Sequence, residues 1–394
     1  MLSPLLQVYK RCKLEFTSGK GVFLREKSGK KYLDLGAGIA VNSLGYANAK
    51  LVKAITKAAK KPWHVSNLYE ISGQTELAEK LVKHSSCNQT FFCNSGTEAI
   101  ETAIKIIRKY YSAKKQASKK EIITFEHAFH GRTIAAISAA GSKKYQEGYA
   151  PLLEGFKTVS LKDLDIDQVK KAVNKNTAAI LIEPVQGEGG VHVFPNKFLK
   201  DLEILCKEKK IILAVDEVQC GVGRTGKLFH YQWAGIKPDI IAVAKGIGGG
   251  FPLGACLVKK DIAAAMTMGS HGGTYGGNPL AMSVGNAVLD QVLKPGFLDK
   301  IKDKGDYFQK GLEALQRKYP DTITEVRGKG LLLGIKIKKD YMKLVEIIRD
   351  NGVLTIPASN DVIRIIPPLI IKKKEIKLAL SILDKSLEEF INND

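Results

Sequence analysis

The 394-residue sequence predicts an α/β protein, with an open and largely parallel sheet carrying helices on both faces and a smaller α+β domain beside it. Three observations predict this class. Strand-like apolar runs at Glu121–Phe125, 178–182, 211–215, Ile240–Val243 and 255–258 alternate with helical stretches, the pattern of a doubly wound sheet. Segments 74–84 and 97–111 carry apolar residues at helical spacing, Leu77, Leu81 and Val82 in the first and Ile100, Ile104 and Ile107 in the second. A glycine-rich stretch at 269–279 marks a shift in composition and reads as the hinge into a second region.

In chain order, the two early helices flank Thr90-Phe91-Phe92-Cys93-Asn94-Ser95-Gly96, an extended apolar run that ends in small polar residues. Beyond the hinge come a helical segment at 280–293, strand-like segments at 330–337 and 362–366, and a last helix. That helix places Ile376, Leu380, Leu383, Leu387 and Ile391 on one face. At roughly 150 residues per domain the length suits two or three domains. We expect a large domain over 61–275, with 1–60 and 276–394 forming the N-terminal segment and the small C-terminal domain.

Lys and Arg number 61 against 40 Asp and Glu, a formal charge of +21. The basic residues are spread along the chain with acidic ones between them, and short runs such as 372–374 and 114–120 have no interleaved aromatics. Solvated helix faces and attraction for small anionic substrates therefore account for the charge better than a nucleic-acid partner. No apolar run approaches the roughly 18 residues that a membrane span needs. Six cysteines without Cys-x-x-Cys spacing, and no secretory signal ahead of them, predict reduced and mostly buried thiols in a cytoplasmic protein. The histidines show no metal-ligand spacing, and no metal is expected.

Asn94-Ser95-Gly96-Thr97-Glu98-Ala99 joins a strand end to a helix start. Free N–H groups there, with the Ser95 and Thr97 hydroxyls beside them, suit a phosphate, and they suit a plain N-cap as well. Asp216 falls at the carboxyl end of a buried strand, where open α/β sheets place ligands; its carboxylate either stabilises a ligand's positive charge or caps the next turn. Gly221-x-Gly223-x-x-Gly226 matches the dinucleotide fingerprint of an NAD-dependent dehydrogenase. Its context is wrong, because Glu217-Val218-Gln219-Cys220 intervenes after the strand and aromatic loop sequence, rather than an amphipathic helix, follows. Ile240–Val243 leads through Ala244 into Lys245 and then Gly246, Gly248, Gly249 and Gly250. A buried lysine is costly unless paired or neutral, and imine formation with an aldehyde cofactor uses the neutral amine directly. The anion site, the strand-end Asp and the strand-end Lys together match the phosphate, pyridine nitrogen and aldehyde of pyridoxal 5'-phosphate.

Six motifs in order, Ser95-Gly96-Thr97-Glu98-Ala99, Phe129-His130-Gly131-Arg132-Thr133, Glu183-Pro184-Val185-Gln186-Gly187-Glu188-Gly189-Gly190, Asp216-Glu217-Val218-Gln219, Ala244-Lys245-Gly246 and Gly273-Thr274-Tyr275-Gly276-Gly277-Asn278-Pro279, resemble the class III aminotransferases. The resemblance covers essentially the whole chain from about Pro4. It implies fold type I of the pyridoxal-phosphate-dependent transferases, a mostly parallel seven-stranded sheet in the large domain, and a homodimer with active sites at the subunit interface. Within the class, Gly38-Ile39-Ala40-Val41-Asn42-Ser43-Leu44-Gly45 and His64-Val65-Ser66-Asn67-Leu68-Tyr69 are most similar to members acting on N2-acetylornithine in arginine biosynthesis. The activity so implied moves the terminal amino group of N2-acetylornithine to 2-oxoglutarate, giving N-acetylglutamate 5-semialdehyde and glutamate. Ornithine, succinyldiaminopimelate and 4-aminobutyrate are the alternative donors.

By the same resemblance Lys245 is the Schiff-base lysine and Asp216 the partner of the pyridine nitrogen. Ser95, Gly96 and Thr97 form the phosphate cup, which Thr274 reaches from the other subunit. Phe129 stacks on the cofactor ring, and Gln219 lies near its phenolic oxygen. Arg132 and Arg364 resemble the substrate-carboxylate arginines, with Glu188 pairing the second when no carboxylate needs it. Two planar guanidinium forks suit the two carboxylates of glutamate. His130 is expected to hydrogen-bond the scaffold. After Gly45 the family's usual His and His-Pro are replaced by Tyr46, Ala47, Asn48, Ala49 and Lys50, which should alter local packing rather than chemistry.

Overall fold

The computed structural model describes residues 4–160 and 164–393. Its main sheet has seven strands in the order Gln89–Cys93, Gly254–Val258, Ile240–Val243, Ile212–Asp216, Thr177–Ile182, Glu121–Phe125 and Phe156–Val159. Six share one direction, and Gly254–Val258 runs against both its neighbours. The exception follows from chain length: a parallel return needs a crossover of about a dozen residues or more, and the link 244–253 holds only a 3-10 turn at Lys245–Gly248. The central strands are buried on both faces and read as continuous apolar runs, as parallel strands do when helices cover both sides. Helix Gly96–Ala113 covers one face through Ile100, Ala103, Ile104 and Ile107. Helices Gln74–Lys83, Asn196–Lys209 and Pro279–Val292 cover the other. The last of these follows the glycine-rich stretch, starts on Pro279 and is capped by the Asn278 side chain, which accepts the Ala281 N–H at 2.9 Å.

A second core lies under an antiparallel sheet ordered Ile323–Lys329, Leu332–Ile337, Val362–Ile365 and Ile356–Ala358, packed by helices Phe297–Lys318, Tyr341–Asp350 and Lys373–Asn392. The apolar stripe of the last helix is buried at Ile376, Leu383 and Leu387, and Ile391 is exposed where the helix outruns the core. A third sheet joins the chain's two ends: strands Phe16–Lys20, Phe23–Glu26 and Lys31–Asp34 are followed by Val353–Leu354, which runs parallel to Lys31–Asp34. Val22, Leu33 and Leu35 enter the second core with them. Among the described residues no helix is long and apolar enough to cross a membrane, and no group of three or more His, Cys, Asp or Glu is placed to hold a metal ion. The six cysteines are free, five of them buried and Cys12 exposed.

Candidate active site

The parallel strands deliver their chemistry to one edge of the sheet. Asp216 ends strand Ile212–Asp216 and pairs in register with Ala242, three residues before Lys245 on the neighbouring strand's extension. Ser95 follows strand Gln89–Cys93 and opens helix Gly96–Ala113, Glu183 follows Thr177–Ile182, and Phe129 to Gly131 lie just past Glu121–Phe125. These residues, with Thr97, Val218 and Gln219, line one cavity of about 130 Å³. Larger clefts of about 420 and 770 Å³ contain none of the expected site residues.

At the helix end of the cavity the Ser95 hydroxyl accepts the Glu98 N–H at 3.2 Å, so it does cap the helix. The cap leaves the Gly96 and Thr97 N–H groups of the first turn without intrahelical acceptors, as at any helix start, so capping and anion binding are compatible there. A Cβ at Gly131 would sit 2.1 Å from the Thr97 hydroxyl, so only glycine, here at φ +129°, lets the chain pass. Gly187 is constrained likewise, since a Cβ there would lie 2.0 Å from the Gln219 side-chain oxygen.

Both oxygens of Asp216 are engaged. One oxygen caps the next turn by accepting the Val218 N–H at 2.9 Å, and the other lies 2.8 Å from His130 Nδ1 in a fully buried pair. A carboxylate offers only acceptors, so Nδ1 carries the donated proton, and Nε2, buried, has no hydrogen-bond partner among the described residues. His130 therefore orients the key carboxylate itself rather than remote scaffold. Glu183, also buried, accepts the Phe129 N–H at 2.9 Å and fixes the backbone from which that ring projects. Burial, and then the charge of Asp216, hold its pKa well above the usual carboxylate range.

Lys245 adopts φ +47°, a left-handed conformation that a side chain disfavours by roughly 1–2 kcal/mol. Burial, with Arg364 adding to it, lowers its pKa, opposed by Asp216, Glu183 and Glu188. The amine forms neither a hydrogen bond nor an ion pair among the described residues. The lowered pKa favours the free amine, the form that acts as a nucleophile or base.

The two arginines sit differently. Arg364, 1% exposed, donates from Nη2 to Glu188 Oε2 at 2.7 Å and to the Pro357 carbonyl at 3.0 Å, and from Nη1 to Gln219 Oε1 at 3.2 Å. Its buried Nε has no acceptor among the described residues. Arg132 is exposed, with its guanidinium 4.2 Å from the Tyr145 ring centroid and 5.5 Å from that of Phe129. The Tyr145 hydroxyl lies 3.3 Å from Glu188 Oε1 and so links the surroundings of both arginines. Tyr145, Glu183 and the His130–Asp216 pair escape sequence reasoning, because none sits at a spacing that announces its partner. Thr274 lies exposed on the glycine-rich loop, outside its own chain's cavity. The dinucleotide-like glycines occupy a turn rather than a helix N-terminus. Tyr46, where the sequence departs from the family, donates its hydroxyl to Asp34 Oδ2 at 2.5 Å.

A helix-start anion cradle, a carboxylate held by an imidazole and a free lysine of lowered pKa form a donor set that fits pyridoxal phosphate. The family model described as aminotransferase class-III matches residues 7–387. Acetylornithine aminotransferase of Agrobacterium fabrum is 52% identical over 379 residues, which cover 96% of this chain and 94% of that protein. Its counterpart in Aquifex aeolicus is 45% identical over 387 residues, 98% of this chain and 100% of that protein. Among solved structures, the ornithine aminotransferase of Toxoplasma gondii superposes with a TM-score of 0.95 at 28% identity, covering 99% of this chain and 94% of that one. The N-acetylornithine aminotransferase of Stenotrophomonas maltophilia superposes with a TM-score of 0.86 at 33% identity, covering 98% of each chain.

Proposed function

Because this chain belongs to the class-III aminotransferases, pyridoxal-phosphate-dependent enzymes, we propose that it transfers the terminal amino group of N2-acetylornithine to 2-oxoglutarate, yielding N-acetylglutamate 5-semialdehyde and glutamate. Relatives of that name at 45–52% identity over nearly the full length support the choice of donor. The observation that carries the mechanism is the buried Arg364 with its charge met by Glu188 at 2.7 Å. Such an arginine stays neutralised while a one-carboxylate donor is bound and becomes available to a dicarboxylate acceptor when Glu188 turns away.

Ser95, Gly96 and Thr97 would hold the cofactor's phosphate, Asp216 would serve its ring nitrogen, and Phe129 and Gln219 would bind its ring and phenolic oxygen. When bound, pyridoxal phosphate supplies an aldehyde that captures amines and a ring that withdraws electrons from the adjoining carbon. Asp216, oriented by His130, keeps a proton on the ring nitrogen. Lys245 supplies the amine that anchors the cofactor and, once displaced by substrate, the base that moves a proton to and from carbon. Arg132 binds the α-carboxylate of N2-acetylornithine and the distal carboxylate of 2-oxoglutarate, and Arg364 takes the α-carboxylate of 2-oxoglutarate or glutamate.

The enzyme works as a homodimer in which Thr274 completes the partner's phosphate site. Supporting this, Thr274 and the exposed Tyr275 lie on a loop that Asn67 ties down by donating to the Gly273 and Gly276 carbonyls, both at 3.0 Å, and Asn67 itself precedes the exposed Leu68 and Tyr69 in the chain. Free thiols accord with a cytoplasmic location. The test is product formation: purified holoenzyme given N2-acetylornithine and 2-oxoglutarate should release glutamate and the semialdehyde in equal amounts, and no exchange would refute the assignment.

A further inference from the structure

Two cations grip carbonyls two residues apart just beyond the strand that carries Arg364. Arg224 is almost wholly buried, and among the described residues no carboxylate is bonded to it; Nη1 donates to the Leu331 carbonyl at 3.1 Å and also to the Pro367 carbonyl. From the other side Lys304, on helix Phe297–Lys318, donates from Nζ to the Leu369 carbonyl at 2.5 Å. Burial holds the first cation down to about 9 and the second down to about 8, so both positions are costly for a charge. Pro367 and Pro368 have no N–H, which leaves their carbonyls as the only hydrogen-bonding backbone handles across that stretch. The flanking N–H groups are taken up elsewhere: Ile366 donates to Leu35 and Leu369 to Ser43, each at 2.7 Å. Arg224 also shares its loop with Gln219, whose oxygen accepts from Arg364 itself at 3.2 Å. One loop thus holds the arginine at its head and, through Pro367, at its foot.

We propose that Arg224 and Lys304 are positioning residues for the dicarboxylate acceptor: by fixing the Pro367 and Leu369 carbonyls they set where strand Val362–Ile365 delivers the Arg364 guanidinium, and so how well it takes a carboxylate in place of Glu188. The inference rests on the role proposed for Arg364. A carbonyl tie that served only stability would matter equally to both half-reactions. A positioning tie matters to the half in which Arg364 must meet a new partner.

The test uses holoenzyme of Lys304→Met, Lys304→Arg, Arg224→Lys and Arg364→Ala, with each half-reaction followed in single turnover and glutarate titrated as an unreactive dicarboxylate. Lys304→Met should weaken glutarate binding and the 2-oxoglutarate half by about tenfold, the scale of one charged hydrogen bond, and leave the N2-acetylornithine half within about threefold. Lys304→Arg should restore much of the loss. Arg224→Lys should show the same selectivity, and if it does not fold the Lys304 pair decides alone. Equal losses in both halves, or unchanged glutarate affinity in Lys304→Met, would overturn the positioning role. Arg364→Ala separates the two levels: a loss confined to the 2-oxoglutarate half upholds the role on which the inference rests, and equal loss in both halves would remove that role and the inference together.

Discussion

Lys245 combines a left-handed backbone, a lowered pKa and an amine without a partner, and each property disfavours an ordinary structural lysine. Lys245→Ala should still fold, since the site accepts a smaller side chain, and it should lose covalent attachment of the cofactor. Borohydride reduction and peptide mapping check this; cofactor fixed to any other lysine would contradict it. The arginines predict a division of labour. Truncating one member of a buried charged pair costs about 2–5 kcal/mol, a factor of roughly 30 to several thousand. Arg364→Ala should lose that much in the 2-oxoglutarate half-reaction and little with N2-acetylornithine, whereas Arg132→Ala should damage both halves, as single-turnover rates would show. The motif residues themselves are legible in the sequence because each sits beside glycines or at a strand end. Their partners are not: His130 and Asp216 meet across 86 positions, and only the sheet, which aligns the ends of strands Glu121–Phe125 and Ile212–Asp216 on either side of Thr177–Ile182, brings them together.

At the scale of elements, Glu217 shows how a strand end is fastened. Fully buried beside Asp216, it accepts the N–H groups of His230 and Tyr231, both at 2.8 Å, and the Cys220 thiol at 3.2 Å. Burial pushes its pKa up to about 7 from an ordinary 4.5. Between those values the folded state binds more protons than the unfolded one, so stability contributed by this group falls as pH rises through the window, by about 3 kcal/mol in full. Glu217→Gln does not titrate; the melting temperature of the wild type relative to the variant should therefore drop between about pH 4.5 and pH 7, and parallel curves would contradict it. The long apolar strands and periodic helices are legible in the sequence since burial on both faces writes itself as composition. The strands Phe16–Lys20, Phe23–Glu26 and Lys31–Asp34 are not, because their residues are mostly polar or half-exposed and they find their sheet partner at Val353–Leu354. The direction of Gly254–Val258 was equally hidden, being decided by the length of a loop.

For the whole molecule, the exposure of Thr274 and Tyr275 and the absence of Thr274 from its own chain's cavity predict a dimer whose dissociation weakens cofactor binding. Light scattering on holoenzyme diluted in steps, with retained cofactor measured alongside, should show the two fall together; a monomer holding its full cofactor would contradict it. The fold class is legible from alternation and length, and the chemistry from three convergent motifs, but the donor is chosen by surfaces that no spacing reveals. The donor therefore gives the most direct test: kcat/KM of the holoenzyme with N2-acetylornithine, ornithine, succinyldiaminopimelate and 4-aminobutyrate, each against saturating 2-oxoglutarate. N2-acetylornithine should be the best of the four, and a higher value for ornithine or 4-aminobutyrate would contradict the proposed activity while leaving the family in place.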